Sequence, residues 1–164
     1  MLSDYPRLGY NYRMTDLQGA LGCAQMERAS FILGERARRA RRYDELLRDV
    51  RWLRPPRVPE HMAHGYQAYV CLYAPEEPSM ANVRRLHERR NRLMQCLETK
   101  GIATRQGTHA PIALGYYAQK YGLAVESFEN AWLADRLSLA LPLYPQMTDS
   151  EQDRVLAALI EVGA

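Results

Sequence analysis

Lysine is almost absent from this chain: among 22 basic residues only Lys100 and Lys120 are lysine, and the rest are arginine. Any chemistry that needs a lysine amine therefore has two places to look. Cysteine is scarce too. Cys23, Cys71 and Cys96 are odd in number and far apart, with no CxxC pair and no Cys/His spacing. That excludes a disulfide framework and a zinc site, and predicts buried free thiols in a reducing compartment. No run approaches the roughly 18 apolar residues of a membrane span. The opening "MLSDYPRLGY" has no basic region followed by an apolar run, so it does not read as a signal peptide. The expectation is a soluble, cytoplasmic protein. A GxSxG nucleophile elbow is missing, which leaves a Ser–His–Asp hydrolase unsupported. There is no internal repeat and no low-complexity tract.

What is present suits one ordinary domain. The chain has 164 residues, 47% of them hydrophobic and 25% charged, with a net charge of +3. It is long enough to bury a core without staples.

Thr15 and Gln18 have capping-box spacing, with Asp16 in the first turn. Leu17, Ala20, Leu21 and Ala24 then mark one face of an amphipathic helix, which Gly34 is expected to kink or break. A second helix covers 35–49, and "RPPRVPE" ends it. "YQAYVCLYA" (66–74) reads as a buried strand closed by Pro75 and Pro78. Residues 80–99 form a helix with Val83, Leu86, Leu93, Met94 and Leu97 inward, an Arg-rich outer face, and Gly101 at its C′ position. "GIATR" follows as a short strand, then the loop "QGTHAPIALGYY", a short helix near 128–136 and a strand in 137–145. Thr148 and Glu151 make a second capping box for a last helix striped by Val155, Leu156, Leu159 and Ile160. Residues 58–164 thus build a small sheet with helices on it, an α/β sandwich of two layers. The leading helices, 15–49, are too long for that layer alone, which implies a cover for their exposed side.

The run "RARRARRYDELLR" has the clustered arginine of a nucleic-acid surface. However, Glu35, Asp44, Glu45 and Asp49 intersperse with it at pairing distances along a helix, and no motif delivers base contacts. A solvated or interfacial helix face is the favoured reading. The four histidines are not spaced as a metal cluster; His87 falls on the polar side of its helix and is expected to face solvent. His109 lies in a glycine-containing loop beside Arg105 and Thr108, either a turn histidine or a residue presented to a ligand. Asp135 and Arg136 read as part of a helix terminus.

The cluster Tyr10, Asn11, Tyr12, Arg13 sits against the start of the first helix, and two readings fit its spacing. In one, Pro6 and Gly9 shape a turn while Asn11 and Arg13 satisfy local carbonyls. In the other, Asn11 and Arg13 meet a phosphate or nucleotide at a subunit boundary.

At this point the residues resemble a known family. "GYNYRMTDLQGALGCAQMER" is similar to the Gly-x-Asn-x-Arg, Thr/Ser-Asp, Gln segment of the DegT/StrS-type sugar aminotransferases, fold-type-I enzymes that use pyridoxal 5'-phosphate. "RARRYDELL", "YQAYVCLY", "LMQCLETKGIATRQGTHAP" and "LSLALPLYPQMTDSEQDRVLAAL" resemble later family segments in the same order. The resemblance implies an α/β (α+β) chain: long N-terminal helices, then a small, mostly antiparallel sheet with helices on it, the small domain of such an enzyme. It implies a boundary segment at 1–49 and the small domain at 50–164. Asn11 matches the family asparagine that reaches, from one subunit, the cofactor phosphate held in the other. Arg13 matches an arginine at that boundary, and Arg105 and His109 fall in the substrate-side loop, where "TRQGTHAP" departs from the usual His-Tyr and proline pattern.

The family's Schiff-base lysine lies in a Ser-x-x-Lys region upstream of the matched segment, and neither Lys100 nor Lys120 has that context. The implied protein is somewhat under half of a nucleotide-sugar aminotransferase: a truncated or interrupted product, or one part of a split enzyme. It would be inactive alone, and would act as a homodimer or with a missing large-domain partner on a nucleotide-linked keto-sugar. The alternative is a binding or scaffold module whose Arg-rich helices hold a protein or nucleic acid.

Overall fold

The computed structural model describes residues 9–163, so the turn reading at Pro6 lies outside the described residues. Helix α1 spans Asp16–Glu27 and α2 Ala29–Leu46; β1 is Leu53–Arg54, β2 Tyr69–Tyr73, α3 Val83–Thr99, α4 Gly115–Tyr121, α5 Glu129–Leu137, β3 Ser138–Leu141 and α6 Asp149–Gly163.

The capping box on α1 forms as its spacing predicts. Thr15 Oγ1 accepts from the Gln18 amide at 3.3 Å, and Gln18 Oε1 accepts from the Thr15 amide at 2.9 Å. The break between the first two helices, however, falls at Arg28 and not at Gly34. The Arg28 N–H turns back onto the carbonyls of Gln25 and Met26, which closes α1 tightly. Gly34 lies inside α2 in open space. A mid-helix glycine costs about 1 kcal/mol, too little to break a helix whose second half anchors Ala40 and Tyr43 in the core.

The sheet is antiparallel in the order β1-β2-β3, with Leu53 opposite Tyr73 and Cys71 opposite Leu139. Strand β2 is shorter than its sequence suggests, because Arg36 Nη1 takes the carbonyls of Tyr66 and Gln67 at 2.8 and 3.0 Å before they can join a ladder. "GIATR" forms no strand; only Arg105 bridges to Ala140. Conversely, α4 is a helix within the expected loop. The α3 terminus is a Schellman turn: Gly101, at φ +73°, donates to Glu98 and Ile102 donates to Leu97. At α6 the Thr148–Glu151 box is present, although Ile160 of the expected apolar stripe is exposed.

One core joins the sheet to the second half of α2, α3, α5 and α6 through Tyr43, Leu47, Tyr69, Leu86, Leu97, Leu139 and Leu159. The Tyr43 hydroxyl donates to the Pro142 carbonyl at 2.9 Å, and its ring lies 5.0 Å from that of Tyr69. Burial pushes both phenols upward, and the Tyr69 hydroxyl also donates to Asp44 at 2.6 Å. Of the thiols only Cys71 is buried; Cys23 and Cys96 are exposed, since they lie on solvent faces of α1 and α3.

The arginine run is solvated at Arg38, Arg41 and Arg48 and interfacial at Arg39 and Arg42. Arg38 bonds Glu35 at 2.7 Å, but buried Arg39 donates to Asp149, and Arg42 reaches Asp153 at 2.8 Å. Gln152, fully buried, returns a bond to the Arg39 carbonyl at 2.9 Å. The run therefore fastens α2 to α6. Similarly, Arg90 on α3 is not on an outer face: it is 2% exposed, with Nε and Nη2 at 3.0 and 2.7 Å from the Arg136 carbonyl.

Candidate functional site

Asn11 and Arg13 lie in the segment leading into α1, and both are exposed. Asn11 Oδ1 accepts from the Arg13 amide at 3.2 Å, a local turn that fixes the asparagine and leaves its Nδ2 donors outward. The Tyr10 and Tyr12 rings flank it 5.6 Å apart. Beyond them α1 has no buried residue, and Met14, Leu17, Leu21 and Met26 are each more than 60% exposed. A 12-residue helix with no buried face is marginal by itself in water.

Arg105 and His109 lie together in a second place, the loop between the Ala140 bridge and the one-turn 3-10 helix Pro111–Ala113. Arg105 Nη1 donates to the Thr104 carbonyl at 3.1 Å and lines a groove of about 270 Å³ with Asn91, Gln95 and Glu98. His109 is exposed, with Nδ1 3.3 Å from Gln106 Nε2. The structure thus brings Arg105 and His109 into one loop. Among the described residues no hydrogen bond or ion pair joins that loop to Asn11 or Arg13.

The supports of this loop come from far along the chain. Ser138 Oγ, buried, accepts from the Gly107 and Thr108 amides, each at 3.1 Å. Asp135 Oδ2, also buried, accepts from the Ala110 amide at 2.8 Å. Asp135 therefore does more than end a helix. Gly107 is required by close approach, since a Cβ there would overlap Val70 and press on Ser138. Sequence reading missed Gln106 and Ser138; the one available signal was the serine at the junction of a short helix and a strand.

His87 does not face solvent freely. Its Nδ1 lies 2.8 Å from the Arg136 carbonyl and Nε2 is 3.1 Å from Asn91 Nδ2. Nδ1 also lies 3.1 Å from Arg90 Nη2, so His87 and Arg90 meet at the Arg136 carbonyl and together close the C-terminal end of α5. Desolvation lowers the Arg90 pKa, against the pull of nearby Asp135.

Both lysine amines are engaged by neighbours. Lys100 Nζ pairs with Glu161 at 2.7 Å. Lys120 Nζ donates to the Tyr116 hydroxyl at 2.9 Å and lies 5.2 and 5.4 Å from the Tyr116 and Tyr121 ring centres. Neither is set out as a covalent anchor for a coenzyme. Among the described residues, no helix is long and apolar enough to cross a membrane.

A helix-covered three-stranded sheet behind two leading helices is an architecture shared with known proteins. The chain belongs to the DegT/DnrJ/EryC1/StrS aminotransferase family, which matches residues 2–160. An uncharacterized protein of Methanocaldococcus jannaschii is 29% identical over 157 residues, covering 94% of this chain and 38% of that protein. Helicobacter pylori PseC, an aminotransferase involved in the biosynthesis of pseudoaminic acid, superposes with a TM-score of 0.79 at 17% identity, over 99% of this chain and 42% of its own. The protein ntda from Bacillus subtilis, solved with bound cofactor PMP, gives a TM-score of 0.70 at 24% identity, over 96% of this chain and 34% of its own. The chain spans well under half the length of these relatives.

Proposed function

We propose that this chain is the C-terminal part of a pyridoxal-phosphate-dependent nucleotide-sugar aminotransferase, which moves an amino group from an amino-acid donor to a keto-sugar in the cytoplasm. The family match along nearly the whole chain carries the reading. In it, residues 1–49 form the boundary with the large domain and 50–164 the small domain. Asn11 binds the phosphate of a coenzyme held in a neighbouring subunit, and Arg13, Arg105 and His109 face the substrate. Asn11, turned outward by its bond from Arg13, is shaped for that role.

The residues present do not fit the covalent end of the coenzyme, because Lys100 and Lys120 are already held by Glu161 and Tyr116. The chain alone is therefore inactive. A homodimer, or a polypeptide supplying the rest of the family's length, completes the site and covers α1. The scaffold alternative would have to use the exposed Arg41, Arg48, Arg84, Arg89 and Arg92, since Arg39 and Arg42 are taken up by Asp149 and Asp153. The test is to co-produce the chain with a large-domain polypeptide of the family and measure coenzyme retained after dialysis. Retention that falls in Asn11→Ala, with the fold unchanged, is expected; equal retention without this chain would refute the proposal.

A further inference from the structure

The 105–110 loop sets the Gln106 amide against its exposed histidine. Gln106 Nε2 lies 2.8 Å from the Thr108 carbonyl and 3.3 Å from His109 Nδ1. Since a carbonyl offers only lone pairs, the Gln106 amide must point its NH₂ at Thr108, which settles which end of the amide is which. That same NH₂ faces His109 Nδ1, so Nδ1 must accept. A neutral imidazole that accepts at Nδ1 carries its proton at Nε2, the nitrogen left on the open side of the ring.

The loop cannot easily relax away from this arrangement. Ser138 Oγ ties down the two amides between Gln106 and His109, and Asp135 ties down the next amide after His109. Both posts are buried, and Val70 and Ser138 leave no room for a side chain at Gly107.

We propose that Gln106 is a positioning residue that sets the His109 tautomer, with Ser138 and Asp135 as buried posts, so that His109 offers an Nε2–H donor to an oxygen on the substrate. The substrate clause rests on the reading of His109 given above; the tautomer does not. A lone pair at Nε2 would instead suit a hydroxyl donor or a metal. The choice of nitrogen therefore decides which substrate group the loop can recognise.

The experiment is long-range ¹H–¹⁵N correlation of the His109 ring in the chain itself, at about pH 8, above the ordinary imidazole range near 6.5. The wild type is expected to show Nδ1 as the bare nitrogen and Nε2 as the protonated one. Gln106→Glu replaces the donor by a group that only accepts, and is expected to invert the pattern to Nδ1–H. Gln106→Ala is expected to give shifts averaged between the two forms. In Ser138→Ala, the Gly107 and Thr108 amides are expected to exchange roughly fivefold faster or more, as loss of a net hydrogen bond implies. Ring nitrogen shifts that are the same in wild type, Gln106→Glu and Gln106→Ala would overturn the proposal. That result would leave the aminotransferase reading standing, and a failure of coenzyme retention would leave the tautomer standing.

Discussion

Arg90 is the side chain whose removal should be felt most in the small domain. It is buried to 2% exposure, and two of its nitrogens grip the Arg136 carbonyl near the end of α5 at 3.0 and 2.7 Å, while Nη1 approaches Met94 Sδ at 3.0 Å. Hydrogen bonds from a charged donor are worth about 1.5–3 kcal/mol, and a cation at a helix C-terminus adds roughly 0.3–1 kcal/mol. The desolvation that depresses its pKa offsets part of this gain. Because His87 Nδ1 lies 2.8 Å from the same carbonyl and can donate to it once the guanidinium is gone, Arg90→Ala does not orphan it. A net loss of about 3 kcal/mol follows, with lost packing of the side-chain stem included. Arg90→Lys keeps the charge but not the fork, and should lose about half as much. Urea unfolding is the assay, with a lower midpoint and an unchanged slope. For a chain of this size the thermal midpoint should fall by roughly 6–12 °C in Arg90→Ala. A change within about 0.5 kcal/mol, the scatter of surface substitutions, would show that the guanidinium is not the tie between α3 and α5.

Three other outcomes can be checked together. The bond from Arg39, followed by desolvation that opposes it, sets the Asp149 carboxyl below its ordinary 3.8. Its contribution is thus fully present above that value and lost as pH falls through the folded-state pKa; acid titration of stability should be shallower in Asp149→Asn, and an unchanged acid limb would refute the assignment. Hydrogen exchange should find the α1 amides open early while those of β2 stay protected, since α1 has no buried residue; equal protection would mean that α1 is held within the chain. Gly107→Ala should cost about 1–3 kcal/mol through overpacking against Val70, and a melting point equal to wild type would show that the loop has room to shift.

Features set by near neighbours were legible in the sequence. Both capping boxes, the Gly101 turn and the strand within 66–74 depend on residues within a few positions of one another, and all are present. What failed was the environment of charged residues. Arg39, Arg90 and His87 read as surface groups by helical phase, yet their partners lie 49 to 110 positions away for the Arg39–Asp149 and His87–Arg136 contacts. The Gly34 break failed because tertiary burial of Ala40 and Tyr43 outweighs a local propensity. The site was legible only as separate residues. Asn11, Arg13, Arg105 and His109 stood out through family likeness, whereas Ser138 and Asp135 support the loop from 25 to 31 positions away, with only a serine at a helix–strand junction as a local signal.

The decisive measurement is whether the folded chain, alone, can fix the coenzyme. Incubation with pyridoxal phosphate, borohydride reduction and peptide mapping would reveal any amine that bonds it. No stoichiometric adduct at Lys100 or Lys120 is expected, because Glu161 and Tyr116 hold those amines. One coenzyme per chain on either lysine, lost when that lysine becomes arginine, would contradict the view that the chain depends on a partner for its chemistry.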